Sequence, residues 1–170
     1  MLIYSAMSSP TTGRPVRDSA SEISEMALPT HANPLGNLLG GRVMHLVDIA
    51  AALAAMRHAR CSVVTASIDH MNFLYPIHIG ELVLLKASVN RVFTTSMEVG
   101  VKVLVENLRT GAVRHTSSAY LTFVAIDEEG KKIALPQALP ETDEEIRRYQ
   151  KAGERRKIRL EMRQQAKGKE

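Results

Sequence analysis

Apolar and polar positions divide the chain into one long helix and a series of strands. The segment Arg42–Met56 is apolar at nearly every position, which is typical of a helix buried on all sides rather than one lying on a surface. A short, loosely alternating segment, Glu22–Leu28, predicts a strand before it. Four stretches after the helix are rich in Val, Ile, Thr and Ser and alternate as strands do. These predicted strands are Ser62–Met71, Glu81–Asn90, Ser96–Glu106 and Ala112–Ile126.

The connections between these strands are short. Residues 107–111 end in Gly and predict a hairpin turn, and residues 93–95 form a tighter link, so the strands that they join must be antiparallel. One sheet covers only one side of an apolar helix. The sheet must therefore curl around the helix, or a second copy of the chain must cover the remainder. Both conditions describe a hotdog fold, an α+β architecture in which an antiparallel sheet wraps around one long buried helix and two copies pair through that helix.

The two ends of the chain differ from the middle. Residues 1–20 are rich in Ser, Thr, Pro and Gly, and we expect a mostly disordered leader there, followed by a hotdog domain over residues 21–135. From Glu141 the composition changes to Glu, Arg, Lys and Gln, which predicts a C-terminal helical extension within residues 136–170. The segment from Glu141 carries ten Lys or Arg against seven Asp or Glu. This excess is typical of a solvated amphipathic helix, with a polyanionic partner as the alternative.

Composition narrows the class of protein further. The single cysteine, Cys61, excludes an internal disulfide framework and a multi-cysteine zinc site, and it favours a reducing compartment. No apolar run approaches the roughly 18 residues that a membrane span requires. The first residues lack the basic and apolar regions of a secretory signal. We therefore expect a cytoplasmic protein that does not associate with a membrane.

The candidate chemistry lies in the loop and first turns of the apolar helix. Gly40 and Gly41 open this helix, so its first N–H groups have no side chain in front of them and favour a negative oxygen. Asp48 follows Gly41 by seven residues, about two turns, and so faces the same way. Its neighbours on the helix are largely apolar, where a carboxylate is costly unless it is paired, and this placement favours a general base. Asn33 and Asn37 add neutral donors and acceptors.

Each of these features also has a purely structural interpretation. A lone Asp can bond a backbone group across a dimer, and Gly-Gly can simply permit a tight turn. Their concentration within a few residues favours a site instead.

The stretch HANPLGNLLGGRVMHLVDIAAA, from His31 onwards, resembles the acyl-coenzyme A thioesterases of the hotdog superfamily. Weaker matches are the segment from Asp69 to Pro76 and the tail around Arg155. The resemblance implies that Asn33 and Asp48 are catalytic and act across a dimer interface, one from each protomer. It further implies that the Gly41 N–H polarises the thioester carbonyl. Asp48 would activate water or attack directly, and Asn33 would position the water or the carbonyl.

The same resemblance implies a set of residues that bind the substrate and its coenzyme A portion. For some of them a structural role stays open, turn formation for the two threonines and a loop hydrogen bond for Asn37. His45, one turn before Asp48, is expected to pack rather than to catalyse. The expected binding set is Asn37, Gly40, Arg91, Thr94, Thr95, Ser96, Arg155 and Arg156.

These inferences predict a cytoplasmic acyl-CoA thioesterase that forms a homodimer through its central helix and could assemble further into a hexamer, a trimer of dimers. No metal, cofactor or nucleic acid is expected. One alternative is a non-catalytic acyl-CoA-binding sensor, although the leader is too short and too poor in helix formers for a helix-turn-helix. The other is a hotdog dehydratase, with His31 as the conceivable loop histidine.

Overall fold

A computed structural model of the chain describes residues 13–69 and 71–167. Within these described residues there are two helices and seven strands, together with short 3-10 turns at Val16–Ser19 and Pro29–His31. In chain order the elements are β1 (Arg14–Pro15), β2 (Ser21–Met26), α1 (Gly40–Ala59), β3 (Ser62–Ile68), β4 (Leu82–Val92), β5 (Ser96–Glu106), β6 (Val113–Ile126), β7 (Ala138–Leu139) and α2 (Asp143–Lys167).

Five strands form one antiparallel sheet in the order β2-β4-β5-β6-β3. The turn at residues 107–111 joins β5 to β6, and Phe93 N donates to Ser96 O across the tight link between β4 and β5. Helix α1 contacts every strand of this sheet, so the sheet curls around it. The predicted hotdog architecture of one chain, an antiparallel sheet wrapped around a central helix, is confirmed, and the pairing of two copies stays a prediction.

Helix α1 packs on the sheet through one face only. Small side chains on that face allow the helix to approach the strands closely, and they are almost completely inaccessible to water: Ala50, Ala51, Ala54 and Ala55. The opposite face carries apolar side chains that the chain itself leaves 38–44% exposed: Met44, Ile49, Leu53 and Met56. The sheet therefore buries only one face of α1, whereas the sequence pattern predicts that the helix is buried on all sides. Arg60, in the left-handed conformation at φ 56°, ends the helix.

The segment before β2 is ordered, which corrects part of the predicted leader. Val16 and Ser19 are buried, and β1 pairs with β7 in parallel. The Ser19 hydroxyl donates to Val16 O at 2.6 Å and accepts from Val89 N at 2.9 Å, so it ties this segment to β4. The prediction of disorder through Ala20 is therefore wrong for residues 14–20. Although the composition of this segment is mostly polar, the side chains of Val16 and Ser19 fix it against the rest of the domain. Residues 1–12 lie outside the described residues.

Helix α2 is held over the sheet by ion pairs. The Glu98 carboxylate is completely buried and accepts hydrogen bonds from Arg155 at 2.7 Å and from Arg159 at 3.1 Å. Arg159 also reaches Asp69, just after β3, at 2.5 Å. A buried carboxylate is tolerated only when it is paired in this way. In the described part of the chain, neither helix has the combination of length and apolar character that crossing a membrane requires.

Candidate functional site

The N-terminus of α1 is open. Leu39 precedes the helix in an extended conformation and provides no side-chain cap. A Cβ added to Gly41 would meet no atom within 4 Å among the described residues, and one added to Gly40 would lie 3.5 Å from the Phe73 ring. The helix thus begins at the predicted Gly40-Gly41 pair. Its first N–H groups face a space that a carbonyl oxygen can enter.

Asp48 lies two turns further along α1, half-buried, against β3. Thr65 Oγ1 donates a hydrogen bond to Asp48 Oδ1 at 2.9 Å. Asp48 Oδ2 accepts no hydrogen bond from residues 13–69 or 71–167, so one carboxylate oxygen is fixed and the other is available. A register irregularity separates Thr65 from Ser67 on β3, and such bulges commonly aim a side chain at a site. Sequence reasoning missed Thr65, since a threonine in a strand is an ordinary β-former.

Asn33 organises the loop before α1. Its Oδ1 accepts hydrogen bonds from Leu35 N at 3.0 Å and Asn37 N at 3.1 Å, and its own N–H donates to Asn37 O at 2.7 Å. Gly36, at φ 74°, makes the turn that this arrangement needs. The carboxamide oxygen of Asn33 is therefore committed to the loop, and its Nδ2 amide is the group left to donate. Within the described chain, no hydrogen bond joins Asn33 to Asp48.

The structure places Asn37 in a loop hydrogen bond, the second of its two expected roles. Its Oδ1 lies 2.8 Å from His78 Nδ1. His78 is a second residue that sequence reasoning missed, because the two positions are distant in the chain and meet only when the loops fold together.

A cleft of about 420 Å³ beside the first half of α2 is lined by three of the predicted coenzyme A residues. Arg91, Thr94 and Arg156 line it, and Arg156 donates to Ser96 Oγ at 3.1 Å. Arg91 stacks on Tyr149, with its Cζ 4.3 Å from the ring centroid. Burial, with the nearby charges of Arg159 and Arg91, lowers the pKa of Arg156 from its ordinary value. These cations repel one another and therefore favour an anion between them.

Two other predicted residues of this set, Arg155 and Thr95, are not among the residues that line the cleft. Arg155 turns inward to Glu98, with its Cζ 3.6 Å from the centroid of Tyr120, so its charge is compensated inside the fold and not presented to a phosphate. Thr95 holds the turn through its carbonyl, which accepts from Ala125 N at 3.0 Å. Among the described residues, no three His, Cys, Asp or Glu side chains gather as a metal site would require.

Comparison with known proteins decides the family. Residues 35–112 match the thioesterase superfamily. A Bacillus subtilis protein named as an uncharacterized acyl-CoA thioester hydrolase, YkhA, is 40% identical over 149 residues, which cover 88% of this chain and 86% of that protein. This chain belongs to the acyl-CoA thioesterase family. The resemblance predicted from the segment beginning at His31 is therefore confirmed.

Solved structures support this thioesterase fold over nearly the whole chain. A hexameric acyl-CoA thioesterase is 40% identical with a TM-score of 0.86, over 89% of this chain and 97% of that one. An acyl-CoA hydrolase from Staphylococcus aureus, solved with butyryl-CoA, coenzyme A and coenzyme A disulfide, is 34% identical with a TM-score of 0.86, over 92% and 95% of the two chains.

The Staphylococcus aureus hydrolase also offers a spacing comparison. It has been solved with an asparagine, an aspartate and a threonine each replaced by alanine. The aspartate follows the asparagine by 15 residues and the threonine follows the aspartate by 17. The same spacings separate Asn33, Asp48 and Thr65 in this chain.

Proposed function

We propose that this protein hydrolyses acyl-CoA thioesters to a free carboxylic acid and coenzyme A. The observation that carries the proposal is the pairing of Thr65 with Asp48 on the helix whose open N-terminus lies two turns away. A helix N-terminus stabilises an oxyanion, and a carboxylate with one free oxygen can take a proton from water.

The helix N-terminus acts on the carbonyl. The Gly41 N–H donates to the thioester oxygen, and the absence of a side chain at Gly41 allows that oxygen to come close. Negative charge that develops on the oxygen is stabilised by the N–H groups and by the helix dipole. The leaving thiolate needs little acid assistance, since the pKa of an ordinary thiol is only about 8.5.

Asp48 acts on the water. Oδ2 takes a proton as the water oxygen forms its bond to the carbonyl carbon, and the carbon–sulfur bond breaks when the tetrahedral intermediate collapses. Thr65 keeps the carboxylate in one orientation through Oδ1. Asn33 donates through Nδ2 to the carbonyl or to the water, because its oxygen is already engaged in the loop.

A second copy of the chain completes the site. The exposed apolar face of α1 needs a cover, and two copies related by a two-fold axis supply it to each other. Asn33 of one protomer then works with the aspartate of the other. Further assembly of three such dimers into a hexamer is part of the proposal.

Coenzyme A occupies the cleft at α2 through its phosphates. Arg91 and Arg156 supply the charge, and Thr94 and Ser96 supply hydroxyl groups at the edge. The chemistry proposed needs no metal or redox cofactor. A cytoplasmic location is also part of the proposal, because the single cysteine, Cys61, is a free thiol.

Thiol release from a panel of acyl-CoA esters, short to long, tests the proposed function. The wild type should hydrolyse part of the panel, and Asp48→Asn should lower kcat at least about 100-fold, because a general base contributes that much. The same change at exposed Asp18, which lies 4.0 Å from Arg17 and far from the proposed site in sequence, should leave the rate unchanged. Silence of the wild type across the panel, with thermal stabilisation by coenzyme A, would support the sensor alternative and overturn hydrolysis.

A further inference from the structure

His78 lies beside the proposed site without belonging to it. Its Nδ1 is 2.8 Å from Asn37 Oδ1. An amide oxygen can only accept a hydrogen bond, so His78 Nδ1 carries the proton and donates. Backbone pairing brings the two residues together, since Asn37 and His78 form an isolated bridge and Leu38 N donates to Ile77 O at 2.8 Å.

Asn37 is in turn the residue that fixes Asn33. Asn37 N donates to Asn33 Oδ1 at 3.1 Å, and Asn33 N donates to Asn37 O at 2.7 Å. This reciprocal pair sets the direction of the Asn33 carboxamide. Because Oδ1 points into the loop, Nδ2 points away from it.

His78 is itself anchored to the sheet. Its backbone N–H donates to Glu81 Oε2 at 2.8 Å, and the Glu81 carboxylate accepts two hydrogen bonds of 2.7 Å from Arg114 on β6. The hydrogen bond from Arg114 lowers the pKa of Glu81, so this carboxylate stays ionised. A continuous chain of contacts thus runs from β6 through Glu81 and His78 to Asn37.

We infer that His78 is a positioning residue that holds the Asn33 amide in its catalytic orientation by donating to Asn37 Oδ1. The inference rests on the proposed function, in which Asn33 contacts the substrate. His78 itself touches no reacting atom. Its removal should therefore affect turnover more than substrate binding.

Three variants measured with one good acyl-CoA substrate test this role. His78→Ala should lower kcat by about 3- to 10-fold, the worth of one hydrogen bond, with KM changed less than about two-fold. His78→Asn should restore most of the rate, because its Nδ2 lies as many bonds from Cα as the histidine Nδ1 does. His115→Ala, which removes another exposed histidine bonded to Ser118, should have no effect.

A double-mutant cycle separates positioning from general destabilisation. Asn33→Asp keeps the Oδ1 acceptor but removes the amide donor, so adding His78→Ala to it should cost no further rate. Full additivity in the cycle, or His78→Asn as defective as His78→Ala, would overturn the inference.

Hydrogen exchange tests the loop without relying on activity. The Leu35 and Asn37 amides should exchange faster in His78→Ala and at the wild-type rate in His115→Ala. Unchanged exchange would exclude the positioning role even in an active enzyme. A wild type that releases no thiol, with exchange altered as expected, would overturn the proposed function but leave the loop contact standing.

Discussion

Thr65 Oγ1 donates a 2.9 Å hydrogen bond to Asp48 Oδ1 and so joins the first strand after the central helix to the middle of that helix. The bond leaves Asp48 with one fixed and one available oxygen. A carboxylate that could rotate freely would present its basic oxygen to the water only part of the time, and orientation is a large part of what a catalytic group contributes.

Replacing Thr65 tests this orientation. Thr65→Val has nearly the same shape but no hydroxyl, and we expect kcat to fall on the order of 10-fold, about one hydrogen bond in free energy. Thr65→Ser keeps the donor and should retain most of the rate. Steady-state kinetics on one acyl-CoA ester checks both variants. Equal activity of the valine variant and the wild type would mean that Asp48 needs no partner on β3.

Asn33 has two functions that one substitution separates. Asn33→Asp keeps the oxygen that accepts from Leu35 and Asn37, loses the amide donor and adds a negative charge. We expect kcat to fall by about 100-fold with little change in thermal stability, as when an oxyanion donor is removed. Asn33→Ala should lose both the rate and the turn. Kinetics and thermal unfolding of the two variants give the comparison, and an active aspartate variant would exclude the donor role.

His58 should make folding sensitive to acid. It is completely buried near the end of α1, and its Nε2 donates to Pro136 O at 2.9 Å. Burial lowers the pKa of His58 more than the hydrogen bond to Pro136 raises it. Nδ1 has no partner among the described residues, so a second proton there would be buried without an acceptor.

The unfolded chain therefore binds a proton at His58 before the folded chain does. Stability from neutral His58 should be fully present above the unfolded pKa of about 6.5 and decline as the pH falls from there towards the lower folded value. Urea unfolding at about pH 7.5 and about pH 5.5 should show a larger loss in the wild type than in His58→Gln. The same loss in both proteins would assign the acid sensitivity to other groups.

Glu98 should be the largest single contributor to the docking of α2. Glu98→Ala leaves Arg155 and Arg159 without their buried partner, and we expect a loss of about 3–5 kcal/mol in the free energy of unfolding. Glu144→Ala, which breaks an exposed pair with Arg147 on the same helix, should change stability little. Denaturant titration measures both variants. A small effect at Glu98 would mean that α2 is held mainly by its apolar contacts.

The local pattern of apolar and polar residues predicted the fold and the helix N-terminus at which the candidate site lies. The apolar run of α1 and the alternation of β4–β6 predicted which residues are buried, and the Gly40-Gly41 pair marks the helix start. Asp48 could be singled out because placing an unpaired carboxylate among apolar side chains costs free energy, so a carboxylate at such a position indicates a function.

The remaining features depend on contacts between distant segments. Thr65 and His78 are ordinary residues in a strand and a loop, and only the folded chain brings them to Asp48 and Asn37. Arg155 follows the basic pattern of its neighbour Arg156, but the buried Glu98 on β5 turns it inward. The docking of residues 14–20 on β4 depends on only two side chains, Val16 and Ser19, and two residues do not make a recognisable sequence pattern.

The measurement that tests the central claim most directly is complementation between two inactive variants. Co-expressed Asn33→Ala and Asp48→Asn chains, carrying different affinity tags, should form mixed dimers in which one site has both wild-type residues and the other has neither. We expect about a quarter of the wild-type thiol release from random pairing, since half of the dimers are mixed and each has one intact site. Mixed dimers that are isolated through both tags and release no thiol would contradict a site shared between two protomers.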